Sequence, residues 1–241
     1  IKAVAISPPP PPTFIDLFHQ LDPRLPHGFY RIPSLVSTNN GTLLAFVMGR
    51  FHRTDATPNI VYMRRSVDDG NTWAPAIAVL QDPTNRTEYG GTAVVDRATG
   101  YIHFLYNAAT GHHCSGCYLL QTISRDDGQT WSEGVPLNTT GAYNSTWGGG
   151  LASGITLRHG ARAGRIMAPL RHDCGCGDLR SSFVVYSDDH GATWSGGAQM
   201  VLLPKFGGGW TEDQVAELPN GSVLMTSRNF YGTSSGQGPR L

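Results

Sequence analysis

Apolar and polar residues alternate along several stretches of this chain with the two-residue period that is typical of β-strands. Three of these stretches lead directly into a recurring turn motif, and they read NIVYMRRS, CYLLQTIS and SFVVYS. Four others have the form strand, glycine-containing turn, strand, with their turn glycines at Gly41, Gly100, Gly164 and Gly221. No stretch has the 3.6-residue period of an amphipathic helix. The pattern therefore predicts an all-β protein.

The motif Ser-x-Asp-x-Gly-x-Thr-Trp occurs three times, at Ser66–Trp73, Ser124–Trp131 and Ser187–Trp194. We expect a structural turn in which Asp accepts backbone N–H groups, Gly takes a positive φ and Trp anchors the next strand. A calcium loop is the alternative, but one constant carboxylate in each copy gives too few ligands. Each of the first three strand pairs is followed by a third strand and by the motif, whose Trp anchors a fourth strand. The result is a four-stranded unit, which predicts a blade of a β-propeller.

The chain supplies about three and a half such units, so the expected architecture is part of a β-propeller with four-stranded antiparallel blades. Residues 1–26 form a Pro-rich segment or linker, with an extended polyproline run at Ser7–Pro12. Residues 27–241 form the propeller domain. Because open sheet edges are poorly stable and prone to association, we expect a further segment or chain to complete the propeller.

Aligning the four units on their turn glycines brings a set of polar residues to one face, around the propeller axis. Arg31 and Glu212 fall at the starts of first strands. The ends of second strands carry Arg50, Asn107, Arg171 with His172, and Arg228. Crowding arginines around an axis costs desolvation unless they bind something, so the pattern indicates a pocket for an anionic ligand.

Charge and composition narrow the class of partner. The 241 residues carry 18 basic and 18 acidic side chains, so no net charge favours nucleic acid or an anionic membrane. No apolar run approaches the length of a membrane-spanning helix. Five Asn-x-Ser/Thr sequons lie at Asn40, Asn85, Asn138, Asn144 and Asn220. This excess predicts a glycoprotein of the extracellular space or secretory pathway, including the cell surface and the lysosome.

Two cysteine pairs lie in loops of neighbouring units on the expected pocket face. They are Cys114 with Cys117, and Cys174 with Cys176. A bridge between Cys174 and Cys176 would be strained, so we expect two disulfides that join the loops of a secreted protein. A zinc site with the nearby His112, His113 and His172 is the alternative.

Three motifs of the chain resemble the sialidase (neuraminidase) family of six-bladed Asp-box propellers. They are YRIP at Tyr30–Pro33, the loop GRFHRTDATPN that leads into the first Ser-x-Asp motif, and EDQVAELPNGSVLMTSR. The resemblance extends from about Gly28 to Arg228 and implies a retaining exo-α-sialidase that needs no metal or cofactor. Its substrate would be terminal sialic acid on glycans, or a similar acidic sugar.

The resemblance also implies a role for single residues. Arg31 and Arg228 match two of the three arginines that bind the carboxylate of sialic acid, and Arg50 matches a pocket arginine near the sugar's C4 substituent. Asp55 matches the acid/base, and Glu212 matches the glutamate that activates a tyrosine nucleophile. A tyrosine suits this sugar because the anomeric carbon carries a carboxylate that would repel an anionic nucleophile, and sialidases use it.

Two departures from the family pattern keep a second hypothesis open. Residues 1–241 do not supply the third arginine or the tyrosine, and Met48 stands where the family usually has an acid. The alternative is a catalytically inactive sialidase-like propeller that serves as a carbohydrate-binding or structural glycoprotein. A secreted propeller that hydrolyses other glycans is the weaker third option.

Overall fold

A computed structural model of the chain describes residues 14–19, 28–54, 57–84, 87–110, 118–140, 152–173, 180–200 and 210–229. In these residues the structure is almost entirely β, with a single 3-10 turn at Gly160–Arg162. Three antiparallel blades of four strands are followed by one further strand pair. The all-β prediction is confirmed, and so is the prediction of three and a half four-stranded units.

The strands follow the chain from blade to blade. Blade 1 contains β1 (Phe29–Ser37), β2 (Leu43–Arg50), β3 (Asn59–Ser66) and β4 (Ile77–Leu80). Blade 2 contains β5 (Thr87–Val95), β6 (Ile102–Thr110), β7 (Tyr118–Ser124) and β8 (Val135–Pro136). Two short strands follow, β9 (Thr139–Thr140) and β10 (Ala152–Ser153). Blade 3 contains β11 (Ile155–Thr156), β12 (Ile166–Asp173), β13 (Arg180–Ser187) and β14 (Trp194–Met200). The last pair, blade 4, is β15 (Trp210–Glu217) and β16 (Val223–Asn229).

The innermost strand of blade 3 is divided between two blades. β10 pairs in parallel with β5 of blade 2, whereas β11 pairs antiparallel with β12 of blade 3. Gly154 separates them at a point where a Cβ atom would lie 2.5 Å from the Met167 carbonyl oxygen and 2.7 Å from Val94 Cβ. Only glycine allows this close approach of backbones. The junction locks blades 2 and 3 together near the axis.

The core lies between the blades. One buried cluster joins blades 1 and 2 and includes the tilted ring pair Phe46 and Phe104, whose centroids are 5.3 Å apart. A second cluster joins blades 2 and 3 and contains Phe183 and Trp194. A third, smaller cluster on the other face of blade 1 is covered in part by Phe18 of the segment 14–19. Packing of sheet on sheet therefore orients each blade relative to the next.

The three Ser-x-Asp motifs form the predicted turns. In the third copy, Asp189 accepts hydrogen bonds from the Thr193 N–H (2.9 Å) and from the hydroxyls of Ser187 (2.7 Å) and Thr193 (2.6 Å). The same bonds recur around Asp68 and Asp126. The motif glycines have φ values from 82° to 85°. The predicted hydrogen bonds and positive glycine φ values are thus present in all three copies.

In blades 2 and 3 the residue before the motif glycine connects its blade to the preceding one. Asp127 of blade 2 accepts bonds from the Thr42 hydroxyl (2.5 Å) and the Arg65 guanidinium (3.0 Å) of blade 1. His190 of blade 3 lies 2.8 Å from the buried carboxylate of Asp96 in blade 2. These two turns therefore stabilise a junction between blades as well as their own hairpins. No helix within the described ranges is long and apolar enough to cross a membrane.

Candidate functional site

Two β-bulges lie at the starts of first strands, on the face opposite the Ser-x-Asp turns. The pairing of β1 with β2 shifts register between Arg31 and Ser34, and the pairing of β15 with β16 shifts between Thr211 and Gln214. Each bulge contains one residue with a left-handed backbone, Ile32 (φ 56°) and Glu212 (φ 59°). Bulges re-aim side chains and are common beside active sites. Their positions place Arg31 and Glu212 at one end of the blades.

The two bulges meet at β10. The Ser34 hydroxyl lies 2.9 Å from the Ser153 hydroxyl and donates to the Ala152 carbonyl at 2.8 Å. The Ser153 N–H in turn donates to the Gln214 side-chain oxygen at 3.4 Å. Ser34 and Gln214 are the residues at which pairing resumes after each bulge, so β10 holds both bulges next to the axis. Convergence of these strand starts was the central expectation from the sequence.

Glu212 forms an ion pair with Arg228 across blade 4. The distance from Arg228 Nη1 to Glu212 Oε1 is 2.9 Å, and the side chains are 54% and 38% exposed. A guanidinium held in this way by a carboxylate keeps a fixed orientation and can bind a second carboxylate. The structure therefore brings together two of the residues selected from the sequence.

Asp213, which the sequence analysis did not select, lies directly beside this pair and is only 4% exposed. Its Oδ1 accepts the hydroxyls of Ser182 in blade 3 (2.5 Å) and Ser227 in blade 4. A carboxylate is stable in a buried position only when such bonds satisfy it. The sequence did carry a signal for it: Asp213 is an acidic residue at a position that the alternation of β15 marks as buried.

The alignment of strand positions needs one correction. In each unit a backbone hydrogen bond closes the turn between the first and second strands. The residues six positions after the accepting carbonyl of this bond are Met48, Asn107, Arg171 and Arg228. Arg50 lies two residues further along its strand, and Glu212 matches Ile32 rather than Arg31. Counting from the turn glycines gives the same register, because each of the four glycines lies seven residues before one of these positions.

Arg50 is a buried guanidinium, 5% exposed, at the end of β2. Its Nη2 approaches the Met48 sulfur at 3.7 Å, and its Nη1 reaches the Thr54 carbonyl at 3.5 Å. Met48 thus occupies the place beside Arg50 where the family resemblance implies an acid. A thioether contributes polarizable contact but no charge to the guanidinium.

Asn59 anchors the start of β3, just after the loop that carries Asp55. Its amide nitrogen donates to the Tyr89 carbonyl at 3.1 Å, and its side-chain oxygen accepts the Tyr89 N–H at 3.3 Å. These two hydrogen bonds to the Tyr89 backbone join blades 1 and 2 below the loop. Asn107 is likewise buried, 7% exposed, and faces Gly90 across blade 2. Sequence reasoning selected Asn107 but missed Asn59.

The buried tyrosines of these blades do not have the character of an activated nucleophile. Burial raises the pKa of Tyr62 and of Tyr89 to about 12, and it also raises the pKa of Tyr106. A nucleophilic phenol needs the opposite shift or an adjacent base. Burial therefore favours the neutral phenol in each of these three side chains.

Several predicted residues lie outside the described part of the chain. They are Asp55, the four cysteines Cys114, Cys117, Cys174 and Cys176, the histidines His112 and His113, the sequon residues Asn85 and Asn144, and the side chains of Arg171 and His172. Their roles stay predictions. The other three sequon residues, Asn40, Asn138 and Asn220, are exposed, as glycosylation would require.

Comparison with known proteins decides the family. The model of the BNR repeat-like domain matches residues 41–237. The sialidase of Micromonospora viridifaciens is 32% identical over 250 residues, which cover 95% of this chain and 37% of that protein. The chain belongs to the BNR-repeat sialidase family. The sialidase of Paraclostridium sordellii is 30% identical over 234 residues, with 88% of this chain and 55% of that protein covered.

Solved structures agree on the fold of this sialidase-family chain. A Trypanosoma rangeli sialidase in complex with 2,3-difluorosialic acid, described as a covalent intermediate, aligns with a TM-score of 0.64 and 19% identity. The alignment covers 84% of this chain and 35% of that one. At this identity the likeness concerns the fold, and it confirms the β-propeller. The chain spans about a third to about half the length of these relatives.

Proposed function

We propose that this chain contributes the carboxylate-binding half of an exo-α-sialidase site, in a glycoside hydrolase that releases terminal sialic acid with retention. The observation that carries the proposal is the Glu212–Arg228 ion pair, placed by a β-bulge at the same mouth of the propeller as Arg31. The sialidase relatives support the reaction class.

Arginine suits the first task of such a site, which is to bind the sugar's carboxylate. A guanidinium stays charged at every physiological pH and offers two parallel N–H donors to the two carboxylate oxygens. Arg31 and Arg228 take this role here, with a third arginine supplied from outside residues 1–241. Arg50, buried beside Met48, contacts the sugar further from the anomeric carbon.

The reaction proceeds in two displacements. A tyrosine from outside residues 1–241 attacks the anomeric carbon while Glu212 takes its phenolic proton, and Asp55 protonates the departing glycosidic oxygen. Asp55 then removes a proton from water, which attacks the glycosyl–tyrosine intermediate, and Glu212 returns its proton to the phenol. The scheme uses no metal ion and no cofactor. The covalent intermediate named for the Trypanosoma rangeli sialidase supports this course.

The substrate we propose is a terminal sialic acid on a glycoconjugate, met outside the cell or along the secretory route. The exposed sequon residues on the blades are consistent with that location, because N-glycans are added to surface asparagines there. The same site would accept another nonulosonic acid, since the carboxylate that the arginines bind is common to these sugars.

A fluorogenic sialoside tests the proposal on the protein expressed from the complete reading frame that contains these residues. We expect release of sialic acid, and we expect Glu212→Gln to lower kcat by roughly a thousandfold, because the tyrosine loses its base. Glu217→Gln is the matched control. Glu217 lies on the same strand and accepts the backbone N–H groups of Arg158 and His159, at the far end of the blade.

Three results would decide between the hypotheses. Release that is lost in Glu212→Gln and kept in Glu217→Gln supports the enzyme. Binding of sialic acid without any release supports the inactive carbohydrate-binding propeller instead. Equal activity in Glu212→Gln and the parent protein contradicts the proposed role of Glu212.

A further inference from the structure

Asp213 is the one described carboxylate that combines near-complete burial with a position at the candidate site. It is 4% exposed, and its Oδ1 receives the hydroxyls of Ser182 and Ser227. Burying a charged group costs several kcal/mol unless hydrogen bonds offset it. A serine or a leucine would fill this position of β15 at lower cost, so the structure itself gives a reason to ask what the acid does.

The backbone at Glu212, the residue before Asp213, is strained. Glu212 has a φ of 59°, in the left-handed region that residues with a Cβ rarely adopt. Such a conformation persists only where neighbouring contacts impose it. The side-chain contacts next to this residue include its own pairing with Arg228 and the two serine bonds of Asp213.

The two serine bonds of Asp213 act on the strands that carry Glu212 and Arg228. Ser227 immediately precedes Arg228 on β16, so its bond to Asp213 ties the strand that carries the arginine to the strand that carries the glutamate. Ser182 lies on β13, opposite Arg171 in the register of blade 3. Its bond to Asp213 therefore fixes the bulge of blade 4 against the neighbouring blade. One carboxylate oxygen thus sets the bulge relative to β16 and to β13.

We propose that Asp213 is a positioning residue, which holds Glu212 in its left-handed conformation so that the glutamate faces Arg228 and the reacting tyrosine. This inference rests on the proposed function for its catalytic consequence, but its geometric part does not depend on substrate. Asp213 itself touches neither the sugar nor the nucleophile in this proposal.

The kinetic test uses Ser227, which can be changed without burying an unpaired charge. We expect Ser227→Ala to lower kcat by roughly tenfold to a hundredfold, because the base is displaced from its proton donor, with KM changed less than about threefold. Ser227→Thr keeps the hydroxyl and is expected to restore kcat to within about threefold of the parent. A purely structural role would lower the melting temperature of Ser227→Ala but would leave kcat of the folded protein unchanged in both variants.

Asp213→Ala and a matched control extend the test. Asp189→Ala removes a carboxylate that also accepts two hydroxyls, those of Ser187 and Thr193, but on a turn at the opposite face. We expect both variants to lose stability and only Asp213→Ala to lose kcat. Equal kcat in the two variants, each corrected for the folded fraction, would overturn the proposal.

A crystal structure of Asp213→Ala separates this inference from the proposed function. We expect residue 212 to leave the left-handed region and its contact with Arg228 to open beyond hydrogen-bond distance. An unchanged φ near 59° and an unchanged 2.9 Å contact would contradict the positioning role. This readout holds even if the parent protein releases no sialic acid, an outcome that would count against the proposed function alone.

Discussion

Ile32 and Glu212 show how single residues with unfavourable backbone angles define the candidate site. Both have φ values near 60° although both carry side chains, and Ile32 is β-branched, for which this region is especially unfavourable. Both occupy the same place in their blades, so the strain is a feature of the fold at this mouth of the propeller. A reader of the sequence can select Arg31 and Glu212 as polar residues at strand starts, but not the bulges that orient them.

His103 is the least expected titratable group of the structure. It is fully buried on β6, its ring lies edge-on to Trp194 at 6.1 Å, and a Cβ atom on Gly191 would lie 2.4 Å from its Cε1. The Gln121 amide lies beside the ring and bonds to Gly191 and Trp194. Burial lowers the pKa of His103 to about 4.

This low pKa predicts a pH dependence of stability. The unfolded histidine binds a proton near pH 6.5 and the folded one only near pH 4, so its contribution is fully present above pH 6.5 and is lost as the pH falls through 4. We expect the free energy of unfolding to drop by about 3 kcal/mol across this window because of His103. Denaturant titrations of the parent and of His103→Phe at pH 7, 5.5 and 4 measure it. The same drop in both proteins would contradict the assignment.

At the scale of elements, the Ser-x-Asp turn carries much of the local order. Its hydrogen bonds are internal, and they lower the pKa of each motif aspartate, that of Asp189 to about 2. Because these bonds need only the motif itself, the turn could be predicted from eight letters of sequence, and β3 begins and ends at the residues that the alternation indicates. The two-residue strands β9 and β10 could not be predicted, since they exist only through parallel pairing with other blades.

Replacing a motif aspartate tests this account of the turn. We expect Asp189→Ala to lower the melting temperature by roughly 2–6 °C, because a hydroxyl–carboxylate network is lost. The parent should also lose stability as the pH falls from about 4 toward 2, since the lowered pKa of Asp189 means that its stabilisation is lost on protonation. Calorimetry over this range, with the exposed Glu133→Ala as control, measures both effects. A melting temperature equal to that of the control would contradict this account.

At the scale of the whole molecule, the blades explain why residues far apart in sequence form one site. The strands that carry Arg31, on blade 1, and Glu212, on blade 4, both bond to β10, because first strands surround the axis. The repeat predicts from the sequence that the starts of first strands share one end of the blades. It could not predict Asp213 or Asn59, whose bonds cross between blades and leave no pattern within a single repeat.

A crystal structure of the protein from its complete reading frame, soaked with a sialic acid analogue, tests the central claim most directly. We expect the ligand's carboxylate to lie within hydrogen-bond distance of the guanidinium groups of Arg31 and Arg228, with Glu212 beside a tyrosine under the anomeric carbon. A ligand bound at another face of the propeller would contradict the account, as would Arg31 and Arg228 too far apart to touch one monosaccharide.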